Sequence, residues 1–135
     1  MKAEVKKQDL LFPELSYKIV GYAFEVFNEI GPGHLEKIYQ KAMAKAFQRK
    51  NIKYSEQVRH GVNCSGEIVG NGYFDFVVEG KIVVELKRGK FYYSDELDQV
   101  NEYLRMSNLQ LGIIIRFTPD GVRTKRIVNI LPKAA

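Results

Sequence analysis

The chain has 135 residues, 45% of them hydrophobic and 27% charged, enough apolar material for one globular domain with a real core. Its 21 Lys and Arg against 16 Asp and Glu leave a net charge of +5, a modest bias toward polyanionic partners. No run approaches the roughly 18 apolar residues of a membrane span, no Walker lysine loop or GxGxxG turn is present, and a lone cysteine, Cys64, excludes an internal disulfide and suits a reducing cytoplasm.

Residues 1–12 read as a polar lead-in without the apolar stretch of a secretory signal. From Pro13 or Glu14, apolar residues Leu15, Ile19, Tyr22/Ala23, Val26 and Ile30 recur every three or four positions, which predicts a helix to Ile30. Gly31-Pro32-Gly33 ends it. A second stripe of Leu35, Ile38/Tyr39, Ala42/Met43 and Ala46/Phe47 predicts a helix from His34 or Leu35 to Lys50. Two helices joined so tightly pack on each other or on one sheet face. Glu36 falls in the first turn of the second helix, where a carboxylate complements the helix dipole with no further role needed. Tyr39 lies on nearly the same side of the helix.

Beyond Asn51 the character changes to strands. Ile52–Cys64 is predicted as one long strand, and Ser65-Gly66 turns it into Glu67–Val69. Gly70-Asn71-Gly72 reads as a bend or bulge leading into a hairpin of Tyr73–Val78 and Ile82–Leu86 around Glu79-Gly80-Lys81. A turn centred on Gly80 puts Asp75 opposite Glu85 on one face, with Lys87 the next residue along that face. Opposed carboxylates among Phe, Val and Ile repel each other and resist ionisation. A divalent cation could compensate them, and so could Lys87 in an ion cluster at a sheet edge. The residues by themselves leave both open.

After a basic loop, Lys87-Arg88-Gly89-Lys90, Ser94 is placed to cap a third helix with Asp95 and Glu96 in its first turn. Leu97, Val100 and Leu104 mark its buried side, and Gln99 and Tyr103 stack on a neighbouring one. Leu109–Phe117 is predicted as an apolar strand parallel to the second hairpin strand, reached through that helix. Thr118-Pro119-Asp120-Gly121 turns the chain into Val122–Leu131, a basic edge strand. The expected order is α-α-β-β-β-α-β-β, a mixed α/β sheet flanked by helices, in one domain over 13–131 with a tail at 132–135.

Asp75, nine intervening residues and Glu85-Leu86-Lys87 resemble the D-(x)n-ExK signature of the PD-(D/E)XK nuclease superfamily. Gln99-x-x-x-Tyr103 on the following helix, with Glu36 on a preceding one, is similar to its RecB-like and Holliday-resolvase-like branches. Gly33-His34-Leu35-Glu36-Lys37-Ile38-Tyr39 resembles the motif that names the GxxExxY proteins of that superfamily, and the likeness runs from about Leu15 to Ile130. Members of that family commonly carry an arginine two residues before the aspartate, where this chain has Tyr73.

The resemblance implies a restriction-endonuclease-like fold and metal-dependent hydrolysis of nucleic acid, DNA before RNA, in the cytoplasm. It implies magnesium or manganese held by Asp75, Glu85, the backbone carbonyl of Leu86 and, directly or through water, Glu36. Lys87 would hold the attacking water or stabilise the phosphate, Gln99 would orient a ligand or contact phosphate, and Tyr103 would support it. Arg88, Lys90 and Tyr103 would contact nucleic acid, and a homodimer is open as a way to cut two strands. The competing class is a non-catalytic nucleic-acid- or partner-binding module on the same fold. Hydrolysis of a smaller phosphate ester is chemically open, but no residue selects it.

Overall fold

The structure is a computed structural model that describes residues 11–91 and 94–129; the expected lead-in over 1–10, the strand end at 130–131 and the tail at 132–135 lie outside the described residues. Helix α1 (Pro13–Ile30) begins at the proline, whose fixed φ suits a first helical position, and ends at Gly31, where φ is +74°. Helix α2 (Glu36–Arg49) has Glu36 in its first turn and Arg49 in its last, both favourable to the helix dipole. Between them Tyr39, buried in α2, reaches back to the turn. Its hydroxyl donates to the Gly31 carbonyl (2.8 Å) and accepts from the His34 amide (3.4 Å), while its ring stacks on Phe117 at 4.0 Å. The tyrosine of the GxxExxY-like motif thus ties the turn between the two helices to the core. Tyr39→Phe leaves the Gly31 carbonyl without this donor, at a cost of about 1–2 kcal/mol. Thermal unfolding of the variant checks this, with an expected fall in Tm of roughly 4–8 °C.

Five strands follow in the spatial order β1 (Tyr54–Cys64), β2 (Glu67–Val78), β3 (Ile82–Arg88), β4 (Leu111–Thr118) and β5 (Gly121–Val128), with helix α3 (Ser94–Ser107) between β3 and β4. Among the described residues only the β3–β4 pair is parallel, as expected across a helical crossover. Helices α1 and α2 pack with Phe76, Val84, Leu86 and the odd residues of β4 from Leu111 to Phe117. Helix α3 covers the other face through Val100 and Leu104 against Phe74, Val83 and Ile114. Gly112 allows the close approach, since a Cβ there would sit 2.5 Å from Val100. With apolar groups on both faces, β3 and β4 read as near-continuous hydrophobic runs.

Strand ends differ from the expectation by one or two residues in β1, β4 and β5, and two further differences bear on the site. The Gly70-Asn71-Gly72 segment does not interrupt β2, which runs unbroken from Glu67 to Val78. Gly72 is needed for space: a Cβ there would meet the His60 ring at 2.4 Å, because His60 is its cross-strand partner and lies flat on Phe74. The irregularity falls instead between Val62 and Asn63, where the pairing with β2 slips by one residue. Strand β3 also extends to Arg88, so Lys87 and Arg88 belong to the sheet instead of to a loop.

Candidate active site

Pairing between β2 and β3 runs Val78↔Ile82, Val77↔Val83 and Phe76↔Val84 and then stops. At the next position the two side chains take over the hydrogen bonds of the ladder. The Asp75 amide donates to Glu85 Oε1 (3.1 Å) and the Leu86 amide donates to Asp75 Oδ2 (2.7 Å). Beyond this point β3 continues alongside β4 while β2 continues alongside β1, so the two carboxylates stand in the fork of the sheet. Lys87 follows Glu85 on the face of α3 and places Nζ 3.6 Å from Glu85 Oε2.

A second irregularity sits at the same level. Tyr54 packs on Phe47 and Phe76, but His60, an even number of residues further along β1, lies on Phe74 and near Tyr103. Phe76 belongs to the core under α1 and α2, and Phe74 to the core under α3. Regular strands would keep each pair on one face. The inversion occurs across Gln57 and Asp75, and Gln57 takes the left-handed conformation with φ +52°. Such a conformation costs a non-glycine residue about 1–2 kcal/mol. In return, the Gln57 side-chain amide reaches Gln40 Oε1 (3.0 Å) and Asp75 Oδ1 (3.4 Å), and Gln40 donates to Glu56 (3.0 Å). Both oxygens of Asp75 are therefore held.

Burial raises the Asp75 pKa above its usual range, opposed by the Leu86 amide, Glu85, Lys87 and Gln57. Burial and then the Asp75 charge push Glu85 up to about 8, with Lys87 offsetting only part. The metal-free pair therefore keeps a proton through neutrality. Because the folded pKa of Glu85 exceeds its ordinary 4.5, the native state binds a proton that the unfolded chain has released. Its contribution to stability is complete below about pH 4.5 and is lost as pH rises toward 8, and Asp75 acts in the same direction. Metal-free protein should therefore melt several degrees lower at pH 8 than at pH 5, and Glu85→Gln should remove most of that slope. Equal slopes in the two proteins would mean that Glu85 titrates normally.

The other predicted residues are distributed around the fork. Glu36 is exposed at the start of α2, one turn before Gln40 and on the same side of the helix, so it borders the Gln40–Gln57–Asp75 chain. No group of three or more Asp, Glu, His or Cys able to share an ion occurs among the described residues, so Glu36 does not join the pair in this conformation. The donor set nevertheless fits a hard divalent cation. Two carboxylates whose pKa values are raised by burial, Glu85 further by the Asp75 charge, are what such a charge relieves, and magnesium keeps several waters in place of protein ligands. Leu86 is buried, with its amide engaged by Asp75. Arg88 donates to the His34 carbonyl (3.2 Å), which fastens the start of α2 to the end of β3, and Lys90 is exposed. Gln99 and Tyr103 line a groove between α3 and β1; among the described residues no hydrogen bond joins Gln99 to either carboxylate. Tyr73 is exposed, and Arg59 stands opposite it on β1.

Sequence reasoning missed Gln57 and Gln40, which look like ordinary surface glutamines until the fold brings them to Asp75. It also missed Arg116, only 1% exposed, which lies beside Lys87 in the β3–β4 register. Arg116 donates to the Arg88 carbonyl (3.0 Å) and pairs with Glu96 in the first turn of α3. A lone arginine within LGIIIRF was the available signal, because a charge in a buried strand demands a partner.

The family model for the PD-(D/E)XK nuclease superfamily matches residues 13–127. The chain belongs to that superfamily. The order α-α-β-β-β-α-β-β around a mixed five-stranded sheet is its restriction-endonuclease-like fold. Among solved structures, the crystal structure of SSO0001 is similar with a TM-score of 0.56 at 19% identity, over 71% of this chain and 50% of that one. That likeness concerns the fold, and this chain spans half the length of its neighbour. No curated protein sequence matches. No helix among the described residues is long and apolar enough to cross a membrane.

Proposed function

We propose that this chain is a GxxExxY-type member of the superfamily that hydrolyses phosphodiester bonds in nucleic acid, DNA before RNA, with magnesium or manganese. The observation that carries the reading is the fork itself: two partly buried carboxylates from neighbouring strands, each fixed by a backbone amide of the other strand, with a lysine beside them. Asp75, Glu85 and the Leu86 carbonyl would hold the ion, with Glu36 reaching it through water from α2. The ion would supply Lewis acidity and a nucleophilic water near neutral pH. Lys87, 25% exposed, carries a point charge beside the fork and stabilises negative charge developing on the phosphate. Arg88 and Lys90 line the exit of β3, where they meet backbone phosphates. Arg59, across from Tyr73, provides a cation near the position where relatives carry an arginine.

The second reading, a non-catalytic nucleic-acid- or partner-binding module, is favoured by the Lys87–Glu85 contact and by the hydrogen bonds that already occupy the carboxylates. Labelled linear, branched and single-stranded DNA and RNA, incubated with manganese, magnesium or EDTA, separate the two. Cutting that requires the metal supports hydrolysis and reveals the substrate class. Binding without cutting in any condition supports the module.

A further inference from the structure

The groove between α3 and the outer half of β1 has a volume of about 340 Å³ and shares no residue with the carboxylate fork. It nevertheless adjoins it. His60 and Tyr103 in its wall both pack on Phe74, at 4.4 and 4.7 Å between ring centroids, and Phe74 directly precedes Asp75. Its chemistry differs from that of a phosphate site. Arg105 is engaged by Glu102 at 2.9 Å, and Asp98 adds a negative charge, so the wall repels a phosphate. What it offers is the side-chain amides of Asn63, Gln99 and Asn101 beside the aromatic cluster of His60 and Tyr103, whose rings meet edge to face at 6.0 Å. Gln99 and Asn101 each present a donor and an acceptor, while Asn63, whose Oδ1 accepts from the Gly66 amide (2.9 Å), presents its NH2.

We propose that this groove binds a nucleobase of the substrate next to the cleaved phosphate, with the amides reading the base edge and the His60–Tyr103 cluster offering an aromatic surface on one side. A base edge carries donors and acceptors together, which a paired set of amides matches and a cationic patch does not. Base faces stack on aromatic side chains with little regard to identity, so the amides set the preference. This assignment rests on the nucleic-acid reading of the fork. It places Gln99 and Tyr103 on the substrate and leaves the carboxylates to Gln57 and the two strand amides.

The test uses nucleosides, which lack phosphate, and requires no metal. Deoxyadenosine, deoxyguanosine, deoxycytidine and thymidine are titrated into labelled metal-free protein while side-chain amide resonances are followed, with inorganic phosphate as control. At least one nucleoside should shift Asn63, Gln99 and Asn101 and phosphate should not, and the surface double variant Gln99→Ala/Asn101→Ala should weaken binding at least tenfold at unchanged Tm. No shift from any nucleoside, equal shifts from phosphate, or unchanged affinity in the variant would overturn the proposal. A groove that binds nucleosides in a protein that cuts nothing would sink the nuclease reading alone. Metal-dependent cutting with a silent groove would sink this inference alone.

Discussion

Lys87→Ala is expected to lower metal-dependent cleavage by at least 10²-fold, the loss typical of removing one group aimed at developing charge. Manganese affinity should stay within a few fold of wild type, because Asp75 and Glu85 remain fixed by the Leu86 and Asp75 amides, which do not involve the lysine. Stability should change little. The Lys87–Glu85 separation of 3.6 Å is long for an ion pair, and Glu85 already holds a proton near neutrality. Single-turnover cleavage with saturating manganese, measured beside calorimetric affinity and Tm, separates the chemical role from binding and folding. Equal cleavage by both proteins would remove Lys87 from the chemistry. Loss of cleavage together with metal affinity would instead make it a support for Glu85.

Arg116→Met should cost about 3–5 kcal/mol, the largest stability effect expected of a single substitution here. The guanidinium is buried, serves both the Arg88 carbonyl and Glu96, and fastens the first turn of α3 to the ends of β3 and β4. Its removal takes from the partly buried Glu96 carboxylate the guanidinium it pairs with. A double variant, Arg116→Met/Glu96→Leu, should recover much of the loss, because an apolar pair of similar volume avoids both desolvation penalties. Urea unfolding of the three proteins reads this directly. A cost below about 1 kcal/mol for Arg116→Met would show that water reaches the pair and that α3 is held by Val100 and Leu104 alone.

How far the sequence carries can be judged at particular residues. The register that opposes Asp75 to Glu85 was legible because Gly80 marks the turn and the flanking runs alternate faces. The packing of α1 and α2 followed from their apolar stripes. The apparent break at Gly70-Asn71-Gly72 misled, because a glycine that makes room for the His60 ring looks the same in sequence as one that turns the chain. The face inversion at Gln57 left no mark at all: a glutamine in a polar strand carries no sign that it takes φ +52° or that α2 supplies it with Gln40. Glu36 was legible as a motif residue, yet its distance from the carboxylates is set by how α2 lies on the sheet. Local pattern reveals elements and register, whereas contacts between elements far apart in the chain decide which polar groups share a site.

The most direct measurement is calorimetric titration of manganese into metal-free wild type, Asp75→Asn and Glu85→Gln near pH 7, in two buffers of different ionisation enthalpy. Wild type is expected to bind with net proton release, because the cation displaces the proton that burial and Asp75 keep on Glu85. Affinity should fall at least tenfold in both variants, and proton release should vanish in Glu85→Gln. Absence of binding, or affinity unchanged by both substitutions, would contradict this expectation and leave the carboxylates as hydrogen-bonded braces of the sheet fork.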